Sequence, residues 1–182
     1  MLEVEVKVKT EIAGAEEKLK ELGYCVGTKV YERDTYYNGK CMDLKAADKA
    51  LRIREHRDLS SGQVRYVLNF KGPRVDDATM TRAETQFDVP SLKAGETVLN
   101  GLGFYPAGNV EKTRLHYRRE DMTCCLDNVT GLGEFLEIEI MAEEENYDEA
   151  VGRIEKLLKK LGLCLSDTIR ESYLTMLEKK KN

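Results

Sequence analysis

The feature that most constrains this chain is a set of six segments in which charged and apolar residues alternate. The first is Leu2–Lys9, with the sequence LEVEVKVK. Side chains of a β-strand point alternately to its two faces, so this segment predicts a strand with one charged and one apolar face. Five later segments show the same alternation: residues 50–54, 67–71, 82–88, 112–118 and 135–140.

The charged faces predict a closed barrel. A charged face on one strand is usually a solvated outer face. That interpretation fails for the whole set, because helices that cover the apolar faces leave the charged faces pointing at one another, as in a barrel. The candidate interior cations are Lys7, Lys9, Arg52, Arg54, Lys71, Arg82, Lys112, Arg114 and Arg118. The candidate interior carboxylates are Glu3, Glu5, Glu84, Asp88, Asp127, Glu137 and Glu139.

Four helices are expected outside this sheet. Residues 11–22 and 147–161 have apolar residues at helical spacing and are each followed by a glycine, the residue that most often ends a helix. Ser91 can cap a helix that ends before Gly103. A fourth helix is predicted from a cap at Ser166 into the terminal lysines, with a frayed tail over residues 176–182. Turn chemistry marks several loops, including residues 72–77.

Composition limits the class of protein. A length of 182 residues predicts a single domain, residues 1–182. The net charge is only −4, so no global field favours nucleic acid or an anionic membrane. Five cysteines without a CxxC pair fit reduced thiols better than disulfides or zinc. No apolar run is long enough for a transmembrane helix, and the N-terminus lacks a signal-peptide pattern. We therefore expect a soluble, cytoplasmic protein without membrane or nucleic-acid partners.

The mixture of charges inside the barrel indicates a metal-assisted phosphate site. Buried cations need partners, either carboxylates or an anionic ligand. Guanidinium and ammonium groups suit a chain of phosphates, whereas carboxylates suit Mg²⁺ or Mn²⁺, which bridge carboxylate and phosphate oxygens. The sequence contains no GxxxxGK[ST] or GxGxxG motif, so a phosphate cradle at a helix terminus is not expected.

The order of these motifs resembles the CYTH superfamily, the triphosphate tunnel metalloenzymes. The matching features are Glu3-x-Glu5-x-Lys7, the Arg52-Ile-Arg54 strand, Phe70-Lys71-Gly72-Pro73, Arg82-x-Glu84, Lys112-x-Arg114 and the stretch from Leu126-Asp127 to Glu137-Ile-Glu139. The match is nearest to the class IV adenylyl cyclases, with Asp34 and Tyr173 inside further matching motifs. Asn69 departs from the pattern. The resemblance implies an α+β fold with eight antiparallel strands in a closed tunnel, helices outside, and a homodimer.

The resemblance also implies a division of roles. It implies Glu3, Glu5, Glu137 and Glu139 as ligands of Mg²⁺ or Mn²⁺, with Asp127 as a further ligand or a supporting partner. It implies Lys7, Arg52, Arg54, Lys71, Arg82, Lys112 and Arg114 as the triphosphate-binding set. Lys7, Arg114 and Glu5 are the residues that we expect to act in catalysis.

Three functions remain open from the sequence. In a cyclase, the 3′-hydroxyl of ATP attacks the α-phosphorus and pyrophosphate leaves. In a hydrolase of triphosphate, thiamine triphosphate or a nucleotide, water attacks the terminal phosphorus. A non-catalytic polyphosphate sensor is disfavoured, because an anion binder gains nothing from four glutamates in its bore. The cyclase is the preferred reading, since the pattern lies nearest that branch. His56 and His116 are possible general bases, but a position on ordinary polar surface or as polar filling of the barrel is the favoured explanation.

Overall fold

Eight strands form a closed barrel in the computed structural model, which describes residues 2–75 and 79–181. The strands are β1 (Leu2–Lys9), β2 (Cys25–Gly39), β3 (Ala50–Asp58), β4 (Val64–Arg74), β5 (Arg82–Val89), β6 (Phe104–Arg119), β7 (Met122–Val129) and β8 (Gly133–Ala142). Their order around the barrel is β1-β5-β4-β3-β2-β6-β7-β8, and β8 pairs again with β1. Every neighbouring pair is antiparallel. The predicted α+β barrel is confirmed.

Four α-helices lie outside the barrel. They are α1 (Ile12–Glu21), α2 (Leu92–Gly101), α3 (Tyr147–Leu161) and α4 (Tyr173–Lys181). The side chain of Ser91 accepts a hydrogen bond from the amide of Ala94 and so caps α2, as predicted. Gly162 has a φ of 80° and ends α3 in the left-handed conformation that the sequence indicated.

The largest apolar core lies between the barrel wall and the helices. The outward side chains of β1, β7 and β8 pack against α1 and α3, with Leu19, Ile154 and Leu158 fully buried. A smaller core joins α2 to β3 through Leu99 and Ile53. Where the apolar face of a strand packs in these cores, its polar face lines the interior.

The outer face of β4 and β5 differs from the expectation that helices cover every apolar face. Phe70 is 38% exposed and Phe87 is 57% exposed, although both lie on the outward side of their strands. The described helices therefore leave part of the outer face of β4 and β5 uncovered.

The predicted start of the fourth helix at Ser166 is wrong. Ser166 lies in a short 3₁₀ turn, Leu165–Asp167, and α4 starts at Tyr173. The intervening segment is held extended, because Thr168 bridges to Val8 and the amide of Ile169 donates to the carbonyl of Lys7. Ser172 provides the cap instead, since its hydroxyl accepts from the amide of Thr175.

Two other expected features, a frayed C-terminal tail and a turn at residues 72–77, include residues that the structure does not describe. The structure is helical to Lys181, and the expected fraying of residues 176–182 stays a prediction, with Asn182 outside the described residues. The turn expected at residues 72–77 falls partly on residues 76–78, which also lie outside them. Within the described ranges, no helix combines the length and the apolar character that a membrane crossing requires.

Candidate active site

The barrel encloses a cavity of about 540 Å³ whose wall carries most of the predicted site residues. All seven predicted phosphate-binding cations line it, and Arg82 does so beside the β2–β3 loop. The cavity wall includes Glu3, Glu5, Glu137 and Glu139. Asp127 is fully buried behind the wall and does not line the cavity.

Three charged residues predicted to face the interior lie outside it. Lys9, Asp88 and Arg118 are exposed, and none lines the cavity. Each sits near the end of its strand, where the alternation continues past the closed part of the barrel. Asp88 instead faces Arg65, with the two charged groups 3.8 Å apart and both well exposed.

The pairing of β1 with β8 builds a carboxylate wall. Glu5 lies directly opposite Glu139, and Lys7 lies opposite Glu137. Burial raises the pKa of Glu139 to about 7, and the nearby carboxylates of Glu5 and Glu137 add to the increase. Burial also raises the pKa of Glu3 well above its usual value, and Glu84, Glu5 and Glu139 reinforce that shift. These carboxylates repel one another, and a nearby cation would relieve the repulsion.

Lys71 supplies one such cation. Its ammonium group contacts the carboxylate of Glu3 and lies 3.4 Å from Glu5 and 3.0 Å from Glu84. The pKa of Lys71 is raised: burial alone would lower it, but these three carboxylates outweigh burial. The ammonium group is therefore charged at neutral pH.

A second cluster surrounds Asp127. Arg114 donates to both oxygens of Asp127 at 2.6 Å, and Lys112 donates to one of them at 2.9 Å. The hydroxyl of Tyr173 also donates to this carboxylate, at 3.1 Å. Asp127 thus has its lone pairs committed to protein donors, and its geometry suits a supporting partner of the cations rather than a metal ligand.

Glu137 joins this cluster to the carboxylate wall. Its carboxylate accepts a hydrogen bond from Arg114 and lies 3.7 Å from the ammonium group of Lys7. Burial alone would raise the pKa of Glu137, but Lys112, Arg114 and Lys7 hold it below the usual value. Glu137 is accordingly ionised and close to three of the predicted phosphate-binding cations.

Strand β2, on the opposite side of the barrel, carries two buried carboxylates that were not among the predicted site residues. Asp34 on β2 accepts hydrogen bonds from Arg52 at 3.0 Å and from Arg54 at 2.7 Å. Glu32, also on β2, accepts from Arg54 at 3.0 Å and lies 3.5 Å from Lys112. These acids hold the cations of β3 and β6 in place. The Nε of Arg52 is buried and has no hydrogen-bond partner among the described residues.

Arg82 has a different environment from the other predicted phosphate-binding cations. Its guanidinium group donates to the carbonyl of Asp48 at 2.7 Å, to the carbonyl of Gly72 at 3.0 Å and to the carboxylate of Asp48 at 3.1 Å. Arg74 binds the same carboxylate. Arg82 therefore ties the β2–β3 loop to the end of β4 beside the cavity, and its assigned role toward triphosphate stays a prediction.

The two histidines line the cavity away from the carboxylate wall. A ring nitrogen of His56 lies 3.2 Å from Glu32, and a ring nitrogen of His116 lies 3.0 Å from the carbonyl of Thr28. Burial lowers the pKa of His116. Both rings have structural partners, and neither contacts the carboxylate wall.

The donor set fits a hard divalent cation. Within residues 2–75 and 79–181, no three His, Cys, Asp or Glu side chains are already grouped closely enough to hold a metal ion. The ammonium group of Lys71, however, occupies a point shared by Glu3, Glu5 and Glu84 and shows that a cation is bound there by carboxylate oxygens. Oxygen ligands of this kind are those preferred by Mg²⁺ and Mn²⁺. Glu139, opposite Glu5, would add a further oxygen donor.

Comparison with known proteins gives consistent matches along nearly the whole chain. A family model described as the CYTH domain matches residues 1–173. MJ0240 of Methanocaldococcus jannaschii, provisionally named an adenylate cyclase, is 33% identical over 178 residues, which are 97% of this chain and 98% of the relative.

Solved structures show the same architecture. PH1819 of Pyrococcus horikoshii OT3 has a TM-score of 0.89 at 36% identity, and the match covers 98% of this chain and 99% of that protein. HpAC1 of Hippeastrum, an adenylyl cyclase candidate described as having a dominant triphosphatase activity, has a TM-score of 0.70 at 18% identity. That match covers 98% of this chain and 95% of HpAC1, and it shows likeness of fold.

Proposed function

This chain belongs to the CYTH family of enzymes, and on that premise we propose that it is a metal-dependent adenylyl cyclase of the class IV type. It would convert ATP to cyclic AMP and pyrophosphate inside the tunnel. The observation that carries the proposal is the convergence of the seven predicted phosphate-binding cations with four glutamates on the wall of one cavity. The provisional name of the M. jannaschii relative supports the cyclase over other reactions.

The cations would bind the triphosphate along the bore. Arg114 and Lys112 come from β6, Arg52 and Arg54 from β3, and Lys7 from β1, so donors would approach the phosphates from several sides. An arginine guanidinium group can donate two parallel hydrogen bonds to a pair of phosphate oxygens, and a lysine ammonium group contributes a localised positive charge. The same groups would stabilise the charge that develops on the departing pyrophosphate.

The carboxylate wall would hold Mg²⁺ or Mn²⁺ through Glu3, Glu5 and Glu139, with Glu137 close by. A bound divalent ion supplies Lewis-acid charge at the phosphate oxygens. The remaining chemistry concerns the substrate: the 3′-oxygen of the ribose forms a bond to the α-phosphorus and its proton passes to solvent water. The bond from the α-phosphorus to the bridging oxygen breaks, and pyrophosphate leaves. The chain's part is to orient the reactants and exclude water from the attacking position.

Hydrolysis of a triphosphate is the second candidate. In HpAC1 the same fold is accompanied by a dominant triphosphatase activity, so the fold does not select the reaction. The choice depends on whether a ribose hydroxyl or a water molecule faces the reacting phosphorus. Inorganic triphosphate, thiamine triphosphate and nucleotides are the substrates to compare.

The decisive experiment incubates the purified protein with ATP, tripolyphosphate or thiamine triphosphate, with Mg²⁺, Mn²⁺ or EDTA, and separates the products by chromatography. Cyclic AMP with pyrophosphate is the expected result. Orthophosphate without cyclic nucleotide would instead support the triphosphatase, and tight binding of tripolyphosphate in EDTA without any product would support a sensor.

Two variants serve as controls. Glu5→Gln should reduce turnover at least about 100-fold, because it removes a predicted cation ligand from the carboxylate wall. Glu111→Gln should retain turnover, because Glu111 lies on the outer side of β6 and is half-exposed beside Arg33. Equal turnover of Glu5→Gln and the wild type would contradict the metal assignment.

A further inference from the structure

The position of the Lys71 ammonium group has a consequence for how the tunnel binds its ligands. Lys71 projects from β4 and reaches Glu84 on β5 and Glu3 and Glu5 on β1. Its side chain is only 16% exposed, so the contacts are made largely away from water. Glu3 and Glu5 are also the carboxylates predicted to hold the divalent cation.

One group of oxygens cannot serve both cations at once. An ammonium group and a divalent ion repel each other, and each needs the same lone pairs of Glu3 and Glu5. Removing the ammonium group without a replacement would leave buried carboxylates close together and uncompensated, which is costly. The favourable alternative to Lys71 at this point is therefore another cation.

We propose that the ammonium group of Lys71 occupies the divalent-cation site in the protein without ligands. Binding of the divalent cation then requires this ammonium group to leave Glu3 and Glu5. This inference rests on the proposed function, since Lys71 is also a predicted phosphate ligand. Once displaced, the ammonium group needs an anionic partner, and the triphosphate provides one. Lys71 thereby couples the two binding events: the cation binds weakly alone, and triphosphate favours the exchange.

The coupling is tested by the binding of Mn²⁺ alone, measured from the electron paramagnetic resonance signal of free Mn²⁺ in the absence of nucleotide. Lys71→Met should bind Mn²⁺ about tenfold more tightly than the wild type, a typical size for a coupling of this kind. The matched control is Lys7→Met, which removes the same charge from the same tunnel but leaves Lys71 among its carboxylates. Its affinity should stay within about threefold of the wild type.

Two results would overturn the proposal. One is equal Mn²⁺ affinity of Lys71→Met and the wild type. The other is an equal gain in Lys7→Met, which would mean that overall tunnel charge, and not occupation of the site, sets the affinity. These measurements need no turnover, so a protein that lacks cyclase and triphosphatase activity would contradict the proposed function while leaving the exchange testable.

A measurement on the wild-type protein covers the case in which Lys71→Met does not fold. Lysines are labelled with a small amine-reactive reagent, and the labelled positions are quantified by mass spectrometry with and without saturating Mn²⁺. Labelling of Lys71 should increase severalfold with Mn²⁺, whereas labelling of the exposed Lys93 on α2 should not change. Unchanged labelling of Lys71 at saturating Mn²⁺ would contradict the displacement.

Discussion

Asp127 is the residue of the tunnel whose carboxylate is most fully surrounded by donors of the protein itself. Its buried carboxylate accepts hydrogen bonds from Lys112, Arg114 and Tyr173. The sequence resemblance left open whether it binds metal or supports a neighbour. Since two cations and a hydroxyl already use its oxygens, we favour the supporting role.

Asp127→Asn should therefore lower the free energy of unfolding by about 3–5 kcal/mol, because it leaves two buried cations without their shared charge partner. Urea unfolding of the metal-free protein measures this change. Asn128→Ala, at the exposed neighbouring position, is the control and should change stability by less than about 0.5 kcal/mol. An Asp127→Asn protein with normal stability but lost Mn²⁺ affinity would show instead that Asp127 is a metal ligand.

At the scale of elements, regular alternation made the strands predictable. Strands β1, β3, β4, β5, β6 and β8 are predictable because each has one charged or polar face, and the intervening residues are mostly apolar or aromatic. In β7 the pattern of charged and apolar residues is not visible in the sequence. Its inward residue Cys125 is apolar, and Asp127 is the one charged residue of the strand. That strand was expected only through the family resemblance.

The carboxylates of β2 were missed for a related reason. The register of β2 against β6 shifts between Val26 and Lys29, so the strand does not present one uninterrupted pattern. Past this irregularity, Glu32 and Asp34 do alternate with outward residues, and that short stretch is the signal that could have identified them. Their role depends on Arg52 and Arg54, which lie about twenty residues away in sequence and meet them only in the barrel.

Helix α4 contributes to the site through Tyr173, which lies in one of the motifs that resemble the family. Its ring packs edge-on against Phe135. The same ring also lies 4.3 Å from the ammonium group of Lys7 and 5.2 Å from that of Lys112. Cation–π attraction and the hydroxyl contact to Asp127 together hold the two lysines at the end of the tunnel near α4.

We expect Tyr173→Phe to bind tripolyphosphate within about threefold of the wild type, because it keeps the ring, and Tyr173→Leu to bind about tenfold more weakly. Isothermal titration calorimetry measures both affinities. Leu177→Ala is the control, since Leu177 packs α4 near Gly131 without contacting either lysine. It should reduce thermal stability but leave the affinity unchanged. Equal weakening in the Phe and Leu variants would assign the effect to the hydroxyl group.

At the scale of the whole molecule, the barrel is unusual in placing its charged groups inside and its main apolar core outside. Such an interior is stable only if charges are paired, since each unpaired buried ion costs several kcal/mol. The carboxylates of β2 are central to this pairing. Burial alone would raise the pKa of Glu32, but Arg54 and Lys112, helped by His56, hold it well below its usual value.

This shift predicts how acid unfolds the barrel. The unfolded state binds a proton at Glu32 more readily than the folded state, so the contribution of Glu32 to stability is complete above its unfolded pKa and is lost as pH falls through the lower folded pKa. Glu32→Gln should cost about 3–5 kcal/mol at pH 7, because it leaves Arg54 and Lys112 short of a charge partner. The difference from the wild type, measured by urea unfolding from pH 7 to pH 3, should shrink as pH falls below about 4.

Glu111→Gln, on the exposed outer face, should show a small difference at every pH. A difference for Glu32→Gln that stays constant down to pH 3 would mean that Glu32 stabilises the barrel by packing and not by its charge, and the paired interior would then not explain the stability of the closed barrel.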